Sequence, residues 1–278
     1  MPYEIQFKEI LNPVTKMNVI RAPDIAKVCK PGQFVIIRVN ETGERIPLTI
    51  ADFDREKGDI TIVYQEVGKS TKLLGTLEVG DEVLDVVGPL GKATPADKHY
   101  GTVVVVGGGC GSAIAYPVAR AFEQAGNYMI TINGARSMDL LLYRKEMYDL
   151  SDEFYETTDD GSCGRHGFVT TVLSDLIEKG RQIDLVFAVG PVPMMKFVSK
   201  TTEAQEIPTI VSLNSIMVDG TGMCGACRVS VGGEMKFACV DGPEFDGHKV
   251  DFDELMGRLN AYWEEEAIAD SRFEHQYG

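Results

Sequence analysis

Thr102-Val103-Val104-Val105-Val106-Gly107-Gly108-Gly109-Cys110-Gly111 is the stretch whose reading decides the fold. Its apolar run does not alternate, as expected of a parallel strand covered on both faces. Glycines end the run at once. Behind them, Ala113-Ile114-Ala115-Tyr116-Pro117-Val118-Ala119-Arg120-Ala121-Phe122 has helical periodicity. Glycines between a buried strand and a helix let a dinucleotide phosphate approach the backbone, so Gly108, Gly109 and Gly111 are candidate contacts. The full Gly-x-Gly-x-x-Gly fingerprint is not present.

The pattern repeats downstream. Met129-Ile130-Thr131-Ile132-Asn133 reads as a strand ending at Gly134-Ala135-Arg136-Ser137, followed by a helix from Leu140 to about Leu150. Phe154-Tyr155-Glu156-Thr157 ends at Thr158-Asp159-Asp160-Gly161, and Phe168 to Lys179 looks helical. Leu185-Val186-Phe187-Ala188-Val189 ends at Gly190-Pro191-Val192-Pro193-Met194-Met195, and Thr209-Ile210-Val211-Ser212-Leu213 is the last strand. Strand–helix alternation predicts a doubly wound parallel sheet over residues 98–215, with ligands at the carboxyl ends of its strands. All these turns fall at that edge. Carboxylates at Asp159 and Asp160 would bond ribose hydroxyls and repel a 2′-phosphate, which favours NAD(H). Arg136 is the opposing feature, since an arginine near the ribose accepts a phosphate.

Residues 1–97 read differently. Tyr3–Phe7, Met17–Ile20, Phe34–Val39, Arg45–Asp52, Asp59–Tyr64 and Glu82–Val87 are short strand-like runs. Pro31-Gly32, Glu41-Thr42-Gly43, Lys57-Gly58 and Gly80-Asp81 separate them. A small antiparallel β-barrel follows. Val67-Gly68-Lys69-Ser70-Thr71 opens a helix. Gly68, Ser70 and Thr71 there offer donors to a pyrophosphate, or simply cap the helix.

Residues 216–278 hold Asp219-Gly220-Thr221-Gly222-Met223-Cys224-Gly225-Ala226-Cys227 and, later, Cys239. With cysteine in place of Asp219, the first three positions would have the plant-type [2Fe–2S] spacing. Gly220, Gly222 and Gly225 let the backbone turn tightly and bring N–H groups toward sulfur. Asp219, Cys224, Cys227 and Cys239 are therefore candidate metal ligands. Three thiolates and a carboxylate also suit zinc. A redox dithiol fits less well, because strand-like Arg228–Val231 follows the pair where a helix normally does. Asp251 to Asp270 has helical spacing, with Trp263 expected in a core. The aromatic end would dock on another subunit or fray.

Composition narrows the rest. A net charge of −15 argues against nucleic acid and anionic membranes as partners. No run of 18 apolar residues and no signal peptide are visible, so no membrane span and a cytoplasmic location are expected. Cys29, Cys110 and Cys163 read as small buried residues rather than disulfides.

Arg45-Ile46-Pro47-Leu48-Thr49, the Gly68–Thr71 helix start and Gly88-Pro89-Leu90-Gly91 resemble the flavin domain of the ferredoxin–NADP reductase superfamily. That family binds flavin with Arg-x-Tyr-(Ser/Thr). The resemblance implies that Thr49 lies at flavin N5 as the catalytic contact. It also implies flavin contacts at Arg45, Pro47, Leu48, Val63, Tyr64, Gly68, Ser70 and Thr71. Leu48 stands where the family stacks an aromatic, and Arg45 stands one residue early. Gly190-Pro191-Val192-Pro193-Met194 is similar to the family's Cys-Gly-Pro-x-x-Met signature, with Val189 at the cysteine position.

The order of barrel, nicotinamide domain and [2Fe–2S] segment is similar to the electron-transfer subunits of dihydroorotate dehydrogenase. Asp219 and the Arg45–Thr49 run look closer to the small-subunit branch of NADH-dependent reduced ferredoxin:NADP oxidoreductases, also described as sulfide dehydrogenases. This implies FAD, NAD(H) and one [2Fe–2S] cluster. It further implies a larger flavin and iron–sulfur partner subunit, through which ferredoxin and NADP(H) are reached during electron bifurcation. A non-catalytic nucleotide-binding regulator with structural zinc is the reading from a different class.

Overall fold

The structure, a computed structural model, describes residues 3–277. Its N-terminal part comprises β1 (Tyr3–Asn12), β2 (Thr15–Arg21), α1 (Pro23–Val28), β3 (Phe34–Arg38), β4 (Arg45–Asp54), β5 (Asp59–Gln65), α2 (Lys69–Thr76), β6 (Glu82–Val83) and β7 (Asp85–Leu90). The sheet order is β6-β1-β2-β5-β4-β3-β7, with antiparallel pairing throughout. Its two end strands are separated in the chain by Leu84 alone, so the sheet curls into a nearly closed barrel. Residues Glu82–Val87, expected as one strand, are therefore two. Leu84 leaves the ladder and donates its N–H to the Val39 carbonyl. Ile5, Ile20, Ile37, Ile60, Ile62 and Tyr64 fill the barrel.

The central part comprises β8 (Thr102–Gly108), α3 (Gly111–Gln124), β9 (Tyr128–Ala135), α4 (Arg144–Asp149), β10 (Glu153–Thr158), β11 (Arg165–His166), α5 (Val169–Glu178), β12 (Leu185–Val189), α6 (Val192–Glu203) and β13 (Thr209–Ser212). Then come β14 (Arg228–Val231), β15 (Glu234–Phe237), α7 (Ala238–Asp241), β16 (Glu244–Asp246), α8 (Phe252–Leu259) and α9 (Trp263–Tyr277). The second sheet runs β11-β10-β9-β8-β12-β13-β16. It is parallel except for β16, which adds antiparallel to β13. The expected barrel and doubly wound sheet are both present. Val104 and Val106 of β8 share one core with Cys227, Val229, Cys239 and Leu255, so the C-terminal segment packs into the sheet domain.

Two expected helices differ. The one expected from Leu140 shrinks to α4, because Tyr143 takes a left-handed backbone with φ 53°. Its ring packs against Tyr116 at 5.4 Å, and its hydroxyl meets Met17 of the barrel. The helix expected over Asp251–Asp270 is two helices broken at residues 260–262. Leu255 is buried, but Trp263 is 68% exposed and is not a core residue. The chain after Tyr262 lacks the apolar stripe that packing needs. Instead of fraying, α9 is tied to α2 by Lys72, whose ammonium meets Asp270 and Glu274 at 2.8 Å each. Of the three scattered cysteines, Cys29 is buried, whereas Cys110 and Cys163 are only partly so.

Barrel and sheet domain meet along two seams. On one, Arg120 of α3 donates to both carboxylate oxygens of Asp52 in β4. On the other, the carboxyl of Glu244 accepts from the Thr94 hydroxyl in space that a side chain at Gly32 would fill. Burial pushes the Glu244 carboxyl up to about 7. Between the ordinary carboxylate value and 7 the folded chain binds the extra proton, so this group's contribution falls as pH rises through that window. Glu244→Gln keeps an acceptor for Thr94 but never has to ionise. It is expected to raise Tm at pH 8 by an amount equivalent to on the order of 1–3 kcal/mol. Thermal melts at pH 5 and pH 8 check this, since the difference should be much smaller at pH 5.

Candidate flavin, nucleotide and cluster sites

A cleft of about 500 Å³ opens between the barrel and the carboxyl edge of the parallel sheet. From the barrel come Pro47, Leu48 and Thr49 of β4, Val63 and Tyr64 of β5, and Thr71 of α2. From the sheet edge come Gly108, Gly109, Gly111, Gly190 and Pro191. Residues distant in sequence thus line one cavity. The β3–β4 register sets Thr49 opposite Phe34, and the Thr49 hydroxyl has no hydrogen-bond partner among the described residues. Arg45, at the start of β4, has a buried Nε without a partner. An orphaned guanidinium N–H on the strand leading to Thr49 suits a phosphate.

The glycines of the cleft are there for space. A Cβ at Gly108 would collide with the Met194 sulfur, and one at Gly111 with the Val189 carbonyl. Gly109 has φ +56° and no neighbour in the direction of a Cβ. The turn is therefore packed tightly against α6 and β12 behind it and left open where Gly109 borders the cleft.

Other predicted residues lie outside this lining or have their polar groups committed within the protein. Gly68 and Ser70 sit at the start of α2, where Ser70 donates to Glu44 at 2.6 Å. The Thr71 hydroxyl accepts from the N–H groups of Val67 and Gly68, so it caps the helix. Met194 backs Gly108 and Gly190. Arg136, Asp159 and Asp160 lie together further along the same edge, where the Asp160 N–H donates to the Arg136 carbonyl.

Several lining residues were not read from the sequence. Phe34 supplies an aromatic that position 48 lacks, but only strand register reveals it. Asn214, Ser215 and Met217 follow β13 and line the cleft. Their signal was available, since they sit just past a strand end at the ligand edge. Cys110 also lines the cleft, and burial pushes its thiol up to about 12, so it stays protonated at neutral pH.

The cluster loop begins at this wall. Met217 and Asp219 are two residues apart, so their Cα atoms lie within about 7 Å. A Cβ at Gly220 would lie 2.6 Å from Leu90 and 3.0 Å from Ile36, which presses the loop onto the barrel. Gly220, Gly222 and Gly225 all have positive φ, of +75°, +85° and +64°. Cys227 and Cys239 are buried with their sulfurs 3.3 Å apart. The Cys239 N–H points at the Cys227 sulfur and the Ala226 N–H at the Cys224 sulfur, both at 3.5 Å. Cys224 is exposed. Asp219 accepts from the N–H groups of Thr221 and Cys224 at 2.8 Å each. The Thr221 N–H is the larger cause that holds its carboxyl below the usual range.

Among the described residues, no three of these donors converge on one point. The donor chemistry nevertheless fits an iron–sulfur cluster. Burial first, then the Cys227 sulfur beside it, pushes the Cys239 thiol up to about 12. Metal charge would let both become thiolates. The N–H groups aimed at sulfur are the outer-shell donors such a site uses.

Comparison with known proteins agrees. Residues 214–251 match the model of the iron–sulfur cluster binding domain of dihydroorotate dehydrogenase B, and residues 105–200 match the oxidoreductase NAD-binding domain. A Thermotoga maritima homolog of the electron transfer subunit of dihydroorotate dehydrogenase B (NAD(+)) is 50% identical over 254 residues, covering 91% of this chain and 89% of the relative. The chain belongs to the family of dihydroorotate dehydrogenase B electron-transfer subunits and their homologues. Within this family, the Geobacillus thermodenitrificans electron transfer subunit is 35% identical, covering 81% of this chain and 88% of its own. A solved structure of an NADH-dependent reduced ferredoxin-NADP oxidoreductase, described for flavin-based electron bifurcation, superposes with a TM-score of 0.93 at 48% identity over 98% of both chains. The family member described here is thus an oxidoreductase subunit with NAD-binding and iron–sulfur-binding domains. Among its described residues no helix is long and apolar enough to cross a membrane.

Proposed function

We propose that this chain is the flavin and iron–sulfur electron-transfer subunit of an NADH-dependent, electron-bifurcating ferredoxin:NADP oxidoreductase. It exchanges hydride with NAD(H) at FAD and passes single electrons through a [2Fe–2S] cluster to a larger partner subunit. The observation that carries this reading is the adjacency of three sites: one cleft is walled by barrel and nucleotide edge, and the cluster loop starts at its rim. Flavin supplies the chemistry that links two-electron to one-electron carriers.

The chain's own residues have separable tasks. Thr49 offers its hydroxyl to the flavin ring, and Arg45 and the start of α2 hold phosphate. Gly108, Gly109 and Gly111 admit the nicotinamide nucleotide, with Gly190, Pro191 and Met194 packed beside them on the same edge. Asp219, Cys224, Cys227 and Cys239 hold the cluster. In support, the Cys227 and Cys239 sulfurs lie side by side, and the Asp219 carboxylate accepts from the Cys224 N–H. Residues 1–97, 98–215 and 216–278 serve as flavin, nucleotide and cluster units of a cytoplasmic complex. Ferredoxin and NADP(H) are met on the partner.

The similarity to dihydroorotate dehydrogenase electron-transfer subunits supports a second reading, in which the partner oxidises dihydroorotate. Anaerobic purification with the native partner separates the two by the partner's identity. Flavin, iron and zinc analysis of the same material tests the cofactor set, and colourless, zinc-only protein would refute both readings.

A further inference from the structure

Beyond β13, burial alternates along the chain that leads to the cluster loop. Leu213, Ser215 and Met217 are buried, whereas Asn214 is exposed and Ile216 partly so. Leu213 and Met217 join the apolar core shared by the sheet domain and the cluster segment. Ser215, between them, is 5% exposed, and its Oγ has no hydrogen-bond partner among the described residues. A buried hydroxyl left unpaired is a net cost that alanine in the same place would avoid. Ser215 also lines the cleft between barrel and sheet. Tyr64 lines it too and has an unpaired buried hydroxyl, but its side chain belongs to the barrel core, beside Asn18. The start of the 213–217 row is fixed against the barrel. A Cβ at Gly91 would meet the Phe34 ring at 2.8 Å and Pro243 at 2.9 Å. The Pro243 carbonyl accepts from the Leu213 N–H, and Phe34 pairs with Thr49 across β3 and β4.

The geometry points to the Ser215 hydroxyl as a hydrogen-bond donor to the polar edge of the flavin ring, where it tunes the ring's potential on the side of the cleft that leads to the cluster. This rests on the proposed flavin site. The polar edge of an isoalloxazine carries more acceptors than donors, and a hydroxyl rotates to suit its partner. Reduction places negative charge on that edge, and a hydrogen bond to a charged acceptor is the stronger one. The Ser215 contact therefore favours the reduced ring. Asp219 is four positions further along, so its Cα lies within roughly 14 Å of the Ser215 Cα. The hydroxyl thus acts between the flavin and the first candidate ligand of the cluster.

The test is the anaerobic equilibrium between bound flavin and fixed NADH/NAD+ ratios in the isolated complex, followed by flavin absorbance. Ser215→Ala removes the hydroxyl, and Ser215→Thr keeps it. Because only this chain is altered, differences from wild type report its own flavin. In Ser215→Ala the ratio of reduced to oxidised flavin is expected to fall by about 3- to 10-fold. Tenfold corresponds to about 30 mV for a two-electron couple. Ser215→Thr should stay within twofold of wild type. Loss of this chain's flavin from Ser215→Ala but not from Ser215→Thr also supports the contact. A Ser215→Ala ratio within twofold of wild type overturns it, whatever happens to Tm. Equal shifts, or equal flavin loss, in both variants overturn it as well, since they report packing rather than the hydroxyl. Wild-type complex in which this chain carries no flavin overturns the proposed function itself.

Discussion

Asp219→Ala is expected to isolate with its flavin but without the [2Fe–2S] absorbance. Asp219 has two tasks. Its carboxylate caps the loop through the N–H groups of Thr221 and Cys224. It also stands with four residues between it and Cys224, where a fourth anionic ligand is needed. Alanine removes both functions, so that variant alone does not separate them. Asp219→Asn retains an oxygen that accepts from a loop N–H but carries no charge. If the residue is a ligand, asparagine should fail nearly as badly as alanine. If it only shapes the loop, asparagine should retain the cluster. Asp219→Cys should restore a four-thiolate set with altered absorbance and a shifted potential. Iron content and visible spectra of the three variants, prepared without oxygen, decide between these outcomes. Flavin retention is the control, since the flavin contacts assigned to the chain lie outside the cluster loop.

Gly111→Ala should be among the severely damaging methyl additions at the nucleotide edge. A Cβ there would meet backbone, with the Val189 carbonyl carbon at 2.7 Å and the Gly190 Cα at 2.8 Å. Backbone in a parallel strand cannot swing aside as a side chain does. Helix α3 would have to lift from β12, at a cost of about 2–3 kcal/mol. NADH-dependent flavin reduction should fall at least tenfold, together with Tm. Gly109→Ala provides the contrast. Its Cβ would meet no protein atom within 4 Å, and the residue has φ +56°. The fold should lose only roughly 1–2 kcal/mol, from the left-handed backbone. The added methyl nevertheless borders the cleft proposed for the nucleotide, so NADH reduction should suffer more than stability. Melting curves and stopped-flow reduction, measured on both variants, separate packing from access.

What was legible in the sequence follows physical locality. Buried parallel strands were readable because burial on both faces leaves a run such as Val103–Val106. The turns that follow them marked the sheet edge that lines the cleft. The cluster segment was readable because its candidate ligands fall close together in the chain. What could not be read depends on register or on neighbours. Phe34 faces the cleft because β3 pairs with β4, which spacing along the chain does not encode. Helix α4 is shortened by Tyr143, whose contacts lie on Tyr116 and in the barrel. Trp263 looked like a core residue because tryptophan usually packs, yet the helix it opens is acidic and held by Lys72. The hydroxyls of Ser70 and Thr71 offered two readings from sequence. The structure shows Thr71 capping and Ser70 bound to Glu44.

The most direct test of the whole account is metal and flavin quantitation on the anaerobically isolated complex, with the cofactors of the larger subunit counted separately. The account predicts one FAD and two irons for this chain, no zinc, and cluster reduction that follows flavin reduction when NADH is added. Oxygen-protected protein in which this chain holds zinc in place of iron, or in which its iron stays oxidised while its flavin is reduced, would contradict it.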